Sequence, residues 1–519
     1  MPKLTIDNRP VEVDEGSTLL DAAEKLGIAI PTMCFMKGLT PATSCMVCVV
    51  KVNGSPLLLP ACGALARDGM VVQTDTPDVI EARRAALELL LSDHLGDCMG
   101  PCHVTCPATM NIPLMLRQIA AGRLCDAIKT VKADIALPAV LGRICAAPCE
   151  KACRRAPHDG PVPICLLKRY VADVDLDSDE PYNPPCKDRI GKCVAIVGAG
   201  PAGLAAAYYL AQDGIVCTLF DDHDRPGGAL RYDVPADRLP RQVVDDEVAV
   251  ITALGVQFNG NTRIGKDVPL AELRRDYDAV FFAVGKIETE TARQLGFETG
   301  RDGVTFDRRT YATNLDGVFA GGDAVRSRKV AVRSVADGKE AAVSIGQFVR
   351  GRAVTGPALL FNTRIGKLQD GEIDAFLASA SPAPAMRNPD LVNGLTDEQA
   401  VAQALRCLHC DCRKPDACKL RLYSHQYDAQ PGRYKAQRKT FAQNTQHPDI
   451  IFEPGKCIDC GLCIQIAARS KERLGLTFIG RGFNVKVAAP FDKPLSEALA
   501  QAARACAAAC PTGALALRD

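Results

Sequence analysis

Twenty-four cysteines in a chain of 519 residues limit what this sequence can fold into more than any other feature. All but Cys125, Cys186, Cys193 and Cys217 fall in short-spaced groups, and Cys217 sits in the apolar run IVCTLF, where a small buried thiol is the ordinary reading. Disulfide-dense composition belongs to small secreted domains. This chain is long enough for several domains, and its opening residues MPKLTIDNRPVEVDEGSTLL have no apolar core behind basic residues, so no export signal is expected. No apolar run approaches the roughly 20 residues of a membrane helix, and the expected location is the cytoplasm. In that reducing compartment the grouped thiols read as metal ligands. A net charge of +1 gives no bulk attraction for nucleic acid.

Hydrophobic patterning divides the chain. Residues 3–13 alternate as strands across a turn at DNR, and Ser17 reads as the N-cap of a helix ended by Gly27. Residues 79–185 are helical in pattern with cysteine-bearing turns. Residues 186–352 open with strand, glycine turn, helix and strand, 353–400 hold a Pro-rich linker, and 401–440 and 441–519 carry two more cysteine groups. The expected fold class is multidomain α/β plus α+β.

Cys34, Cys45, Cys48 and Cys62 are separated by ten, two and thirteen residues. Four thiolates with a tight pair between two outliers suit a [2Fe–2S] cluster, and a four-cysteine zinc site is the alternative. The spacing resembles the N-terminal ferredoxin domain of the complex I large Fe–S subunit and related hydrogenases, which implies a β-grasp ferredoxin over 1–78.

His94, Cys98, Cys102 and Cys106 follow at three-residue gaps, then Cys145, Cys149 and Cys153. The stretches TCPATMNIPLMLRQIAAGR and GRICAAPCEKAC resemble the N-terminal domain of the glutamate synthase small subunit, whose two cysteine groups interleave to hold two [4Fe–4S] clusters. The resemblance implies that Cys98, Cys102 and Cys153 serve one cluster, and Cys106, Cys145 and Cys149 the other. Cys165 would complete the second. His94 would complete the first, since a neutral imidazole can ligate iron; a surface histidine at a helix end is the alternative.

Residues 194–204, VAIVGAGPAGL, run an apolar strand into Gly198, Gly200, Pro201, Ala202 and Gly203, which open a helix able to hold a pyrophosphate on its N-terminal amides. Asp221, after the next strand, is placed to bond ribose hydroxyls; a domain for another nucleotide is the alternative. RPGGALRYDVP (Gly228, Leu230, Arg231), YDAVFFAVG (Ala283, Gly285) and TNLDGVFAGGD (Gly322, Asp323) resemble flavin-contacting segments of the same reductase superfamily. That resemblance implies FAD, with Asp323 on its ribityl chain and a helix after GKEAA aimed at the isoalloxazine. The glutamate synthase family inserts an NADPH-binding domain between the equivalents of AVG and GVFAGGD. Here 35 residues separate Gly285 from Gly321 without a glycine fingerprint. One βαβ unit alone takes roughly 30 residues or more, so no dinucleotide domain fits there.

Cys407, Cys410, Cys412 and Cys418 make a compact group suited to [4Fe–4S] or to zinc. Cys457, Cys460 and Cys463, with the distant Cys510-Pro511, resemble half of a two-cluster bacterial ferredoxin. The second cluster's positions are Ala467, Ala500, Ala503 and Cys506, so Cys506 reads as a relic. The expectation is one [2Fe–2S] cluster, about four [4Fe–4S] clusters and one FAD in an electron-transfer subunit able to merge or split single electrons. Its expected partners are formate dehydrogenase, hydrogenase or NADH-oxidising flavoprotein modules. The competing readings are a self-contained NAD(P)H-dependent reductase of glutamate synthase type and an Fe–S scaffold whose FAD is redox-silent.

Overall fold

The computed structural model describes residues 1–326, 329–386, 392–434 and 437–518. They group into two compact units, one of Met1–Gly100, Leu360–Ser379 and His409–Asp519, the other of Pro101–Leu359 and Ala380–Leu408.

In the first unit, β1 (Lys3–Ile6) and β2 (Arg9–Glu12) form an antiparallel hairpin. Its turn residues Asp7 and Asn8 take φ of 46° and 64°, the left-handed pair that a two-residue hairpin turn needs. The N-cap of α1 (Leu19–Lys25) is Thr18, one residue beyond the expected Ser17. The Thr18 hydroxyl accepts the Asp21 N–H at 3.2 Å while the Asp21 carboxylate accepts the Thr18 N–H at 2.8 Å. Ser17 would face Leu20 at the same offset, which has no acceptor to return.

β3 (Val49–Val52), β4 (Leu58–Pro60) and β5 (Val71–Gln73) complete a sheet of order β2-β1-β5-β3-β4, in which only β1 and β5 run parallel. Leu4, Ile6, Val50 and Val72 pack with Leu19 and Ala22 of α1 and with Cys48 and Cys62. α2 (Pro77–Ser92) lies in this unit, its buried Arg83 donating to the Val49 carbonyl at 2.9 Å and to the Tyr427 hydroxyl at 3.0 Å. The C-terminal part pairs strands Ile450–Phe452 and Leu515–Leu517 over helices Leu462–Arg469 and Ala503–Ala509.

The second unit opens with short helices: α3 (Pro101–Thr105), α4 (Ile112–Ala120), α5 (Leu124–Asp134), α6 (Pro138–Ile144), α7 (Pro148–Lys151), α8 (Ala156–Asp159) and α9 (Ile164–Leu176). Prolines stand in the first turns of α4, α6, α7 and α8, and those of α4, α7 and α8 restart the chain after the cysteine-bearing turns at Cys106, Cys145 and Cys153. A parallel sheet follows, built from β6 (Cys193–Val197), β7 (Val216–Phe220), β8 (Gln257–Asn259) and β9 (Ala279–Phe282), with α10 (Pro201–Gln212), α11 (Ala229–Tyr232), α12 (Arg241–Ala253) and α13 (Leu270–Asp276) between them. α14 (Thr289–Gln294) and the hairpin of β10 (Thr299–Gly300) and β11 (Gly303–Val304) fill the chain before β12 (Val318–Ala320). The sheet order is β12-β9-β6-β7-β8, so the direction of strand addition reverses at β6, where a doubly wound sheet leaves its ligand crevice.

α15 (Ala331–Val349) contains GKEAA rather than following it, because the buried stripe begins already at Val332 and Val335. It crosses α10 closely. A Cβ on Gly338 would lie 2.2 Å from the Ala202 carbonyl oxygen, so this glycine sets the separation of the two helices. No helix among the described residues is long and apolar enough to cross a membrane.

On an open helix face glycine-to-alanine stabilises by about 1 kcal/mol. At Gly338 the neighbouring backbone cannot yield, and Gly338→Ala is expected to destabilise the second unit by about 1–3 kcal/mol, read as a lower thermal midpoint. An unchanged or raised midpoint would show that the crossing has slack.

Candidate iron–sulfur and dinucleotide sites

The loop between α1 and β3, with the turn after β4, brings four buried sulfurs together as two pairs. Cys34 and Cys45 lie 3.3 Å apart, and Cys48 and Cys62 3.4 Å apart. Hydrogen bonds from Cys45 and Cys62 hold the Cys34 thiol far below its usual range and push both donors up. Cys34 thus holds a thiolate most readily while Cys45 and Cys62 keep protons as its donors, protons that a bound metal would displace. Two sulfur pairs suit two tetrahedral irons, each taking two thiolates.

In the second unit Cys106, Cys145 and Cys149 line one apolar cavity with Met110, Ile135 and Ile164. Cys165, in the first turn of α9, joins them through hydrogen bonds with Cys145 and Cys149. Its amide donates to Glu150 at 2.8 Å, which fixes the start of α9 against α7. Lys168, 3% exposed, stands beside all four. Burial opposes its charge, but Cys165, Cys145, Cys106 and Cys149 outweigh burial and hold its pKa above the ordinary lysine value. Sequence reasoning missed this lysine, whose only signal was its position one turn after Cys165.

Cys102, Cys153 and Cys407 pack against the same core. A clasp of buried arginines ties their segments. Arg155 donates to both Asp159 oxygens at 2.7 and 2.6 Å and to the Arg406 carbonyl at 2.7 Å, and Arg406 donates to Asp159 at 3.1 Å and to the Gly160 carbonyl at 2.9 Å. The group Cys407 to Cys418 is therefore split: Cys407 belongs to the second unit, and Cys410, Cys412 and Cys418 to the first.

In the C-terminal part, Cys457, Cys460, Cys463 and Cys510 line one cavity with Phe452, Ile458, Leu462, Val487 and Pro511. Cys506 does not; its sulfur faces the Cys463 carbonyl at 3.5 Å. Around it Ala467 and Ala503 are buried in continuous packing, so methyl groups fill the ground of a second cluster.

Cys98 and Cys412 also meet in the first unit, where the Cys412 N–H donates to the Cys98 carbonyl at 3.3 Å. The Cys98 sulfur lies 3.3 Å from the Thr363 hydroxyl and accepts the Thr363 N–H at 3.5 Å; Cys418 accepts the Arg421 N–H at 3.5 Å. Cys418 is electrostatically coupled to Cys412 and Cys98. His94 is half-buried, its Nδ1 inaccessible to solvent and without a hydrogen-bond partner among the described residues. Burial, then the nearby Lys456, lowers its pKa to about 4, leaving a neutral imidazole at pH 7. Lys456 is fully buried and paired with Glu453.

The glycine turn after β6 is shaped for a phosphate. Gly198 takes φ of 102°, and a Cβ there would strike the Ala283 carbonyl at 2.4 Å; at Gly203 it would strike the Gly198 carbonyl at 1.9 Å. Gly200 faces open space, where an approaching ligand needs no side chain. Gly228 lies over this turn, its Cβ direction 2.8 Å from Gly200 Cα, and Gly322 lies against Ala202. A cleft of about 420 Å³ opens at the strand ends, lined by Gly198, Asp221, Arg263, Phe282, Lys286 and Thr291 among others. Asp221 accepts the Ala199 N–H at 2.6 Å and the His223 N–H at 3.0 Å, so it braces the turn it was expected to serve.

Leu230 and Arg231 are buried. Arg231 bonds the Pro226 carbonyl at 2.8 Å and pairs with Asp245, so it holds the RPGG turn. Gly285 has φ of 75°, and Asp323 accepts the Lys329 N–H at 3.3 Å. Sequence reasoning missed Asp337, 1% exposed, which accepts the Gly322 N–H at 3.0 Å and pairs with Arg326 at 2.5 Å and Arg333 at 3.0 Å. A charged residue on the apolar stripe of α15 was the available signal.

Comparison with known proteins gives three matches to family models: a 2Fe-2S iron-sulfur cluster binding domain over residues 2–77, the dihydropyrimidine dehydrogenase domain II, 4Fe-4S cluster, over 94–180, and an NAD(P)-binding Rossmann-like domain over 196–257. The chain is 39% identical over 225 residues to the NADP(+)-dependent formate dehydrogenase subunit beta of Moorella thermoacetica, covering 39% of this chain and 32% of that protein. It is 36% identical over 256 residues to the NADPH-Fe(3+) oxidoreductase subunit beta of Geobacter sulfurreducens, covering 46% and 38%. With the glutamate synthase [NADPH] small chain of Escherichia coli K12 it shares 35% identity over 201 residues, covering 38% and 43%. The chain spans less than half the length of each of these relatives. It is thus a mixed α/β chain carrying 2Fe–2S, 4Fe–4S and Rossmann-like domains, related to formate dehydrogenase beta subunits and glutamate synthase small chains.

The two terminal cysteines separate cleanly in an experiment. Cys510→Ser is expected to cost about four irons per chain and Cys506→Ser none, measured on anaerobically purified protein. Iron loss confined to Cys506→Ser would reverse the assignment.

Proposed function

We propose that this chain is an electron-transfer flavo-iron–sulfur subunit of a multisubunit oxidoreductase, holding one [2Fe–2S] cluster, about four [4Fe–4S] clusters and one FAD. The observation that carries the reading is the gathering of cysteines into separate buried pockets within each unit, in a chain whose second unit also holds a dinucleotide cleft. Relatives that are themselves beta subunits of formate dehydrogenase and NADPH-Fe(3+) oxidoreductase support it. The ferredoxin parts are read as a β-grasp domain over 1–78 and a bacterial ferredoxin-like tail over 441–519.

The donors fit the groups they would hold. Cys34, Cys45, Cys48 and Cys62 suit the two-iron cluster, and Cys106, Cys145, Cys149 and Cys165 one four-iron cluster. Cys457, Cys460, Cys463 and Cys510 suit another. When bound, these clusters supply one-electron centres, and FAD supplies a centre that takes electrons singly or in pairs. The chain's own residues exclude water and balance charge: apolar walls enclose the sulfurs, and Lys168 offsets thiolate charge that burial would otherwise oppose.

FAD suits the cleft because three glycine turns, at Gly200, Gly228 and Gly322, converge on the first turn of α10. The partner is a formate dehydrogenase, hydrogenase or NADH-oxidising flavoprotein module that brings its own substrate site. A second reading, favoured by the NAD(P)-binding match over 196–257, places a pyridine nucleotide on the same turn.

Anaerobically purified chain is expected to carry about eighteen irons and one acid-released FAD. About ten irons would remove two four-iron clusters and the reading with them. Release of NAD(P) in place of FAD would favour the second reading.

A further inference from the structure

The sequence groups His94 and Cys98 with the cysteines that follow them, and Cys412 and Cys418 with Cys407 and Cys410. The folded chain arranges them differently. His94, Cys98, Cys412 and Cys418 all belong to the first unit, although more than 300 residues separate the two halves of the set.

Their meeting place is built. The 94–98 turn is fastened to the C-terminal part by the Leu95 N–H, which donates to the Gly455 carbonyl at 2.7 Å, and by the Cys412 N–H on the Cys98 carbonyl. Gly96, between His94 and Cys98, lets the turn close on Lys456; a Cβ there would come 2.4 Å from the lysine Cε. Gly513 clears the opposite side, since a Cβ there would come 2.3 Å from the Cys412 sulfur. Backbone amides of Thr363 and Arg421 donate to the sulfurs of Cys98 and Cys418, as buried thiolates need. One imidazole nitrogen, His94 Nδ1, on the same turn as Cys98 and near Lys456, is left buried and without a hydrogen-bond partner among the described residues, and an unpaired buried polar atom is costly unless something binds it.

We infer that His94, Cys98, Cys412 and Cys418 are the four ligands of one [4Fe–4S] cluster, a site of mixed imidazole and thiolate donors in the first unit. A structural zinc would accept the same donors. The surroundings favour iron. Cys418 packs in one continuous core with Cys34, Cys45 and Cys460. The Lys419 N–H, next along from Cys418, donates at 2.8 Å to the carbonyl of Pro511, next along from Cys510. The site thus stands between the two-iron site and the ferredoxin-like site, where a redox-silent ion would interrupt a row of one-electron centres. Replacing one thiolate by a neutral imidazole removes negative charge and makes this the more easily reduced member of the row.

This inference rests on the proposed function but fails separately from it. In the full chain purified anaerobically, Cys98→Ala and Cys412→Ala are each expected to lose about four irons, and the double variant the same about four. A loss of about eight in the double variant would place the two cysteines on different clusters and overturn the grouping. His94→Cys is expected to keep the iron while abolishing the imidazole nitrogen coupling in pulsed EPR of the dithionite-reduced protein. Persistence of that coupling, or one zinc per chain released by Cys412→Ala, would overturn the ligand set. A wild-type iron content far below eighteen would instead fail the broader reading.

Discussion

Burying thiolates beside one another is the constraint on which this structure depends. Desolvation opposes each negative sulfur, and neighbouring sulfurs oppose one another, so a pocket of this kind needs amides and cations beside its sulfurs. The chain answers with two buried lysines. Lys168 stands among Cys106, Cys145, Cys149 and Cys165, and Lys456 beside Cys412 and His94. Lys456 is itself paired with Glu453. Apolar walls then keep water out, which strengthens every remaining electrostatic contact.

The same logic explains why so few contacts position so many donors. Short helices interrupted by proline present one cysteine at each turn, and the Arg155–Asp159–Arg406 clasp returns a distant segment to Cys153. At the dinucleotide turn, positioning depends on absent side chains: Gly198, Gly203 and Gly338 each stand where a Cβ would strike backbone. Asp221, Asp337 and Arg231 serve as braces for that turn more than as free ligands.

Much of this was legible in the sequence because it is local. The β1–β2 hairpin, the Gly27 stop, the strand into Gly198 and the Cys457–Cys510 pocket all follow from spacing and turn chemistry within short stretches or from one strong motif. The misplaced features turn on partners the sequence does not show. Ser17 yielded to Thr18 because only Thr18 has a reciprocal acceptor three residues on. The Cys407 group looked like one site because its members are adjacent in sequence, whereas the boundary between units falls inside it. Lys168, Lys456 and Asp337 are buried charges with one partner each within a helical turn, Cys165, Glu453 and Arg333, but Cys145, Cys412 and Gly322 reach them from distant segments that no local pattern shows.

We propose that this chain passes electrons without a pyridine nucleotide site of its own, the turn at Gly198 to Gly203 being taken by FAD. Nicotinamide must be held against a flavin by a second phosphate-binding turn. Between β9 and β12 the chain builds only α14 and the β10–β11 hairpin. Anaerobic stopped-flow absorbance of the isolated chain tests this most directly. Dithionite should bleach both the flavin and the iron–sulfur bands, while NADH and NADPH leave them unchanged. Rapid, stoichiometric flavin reduction by NADPH would contradict the account.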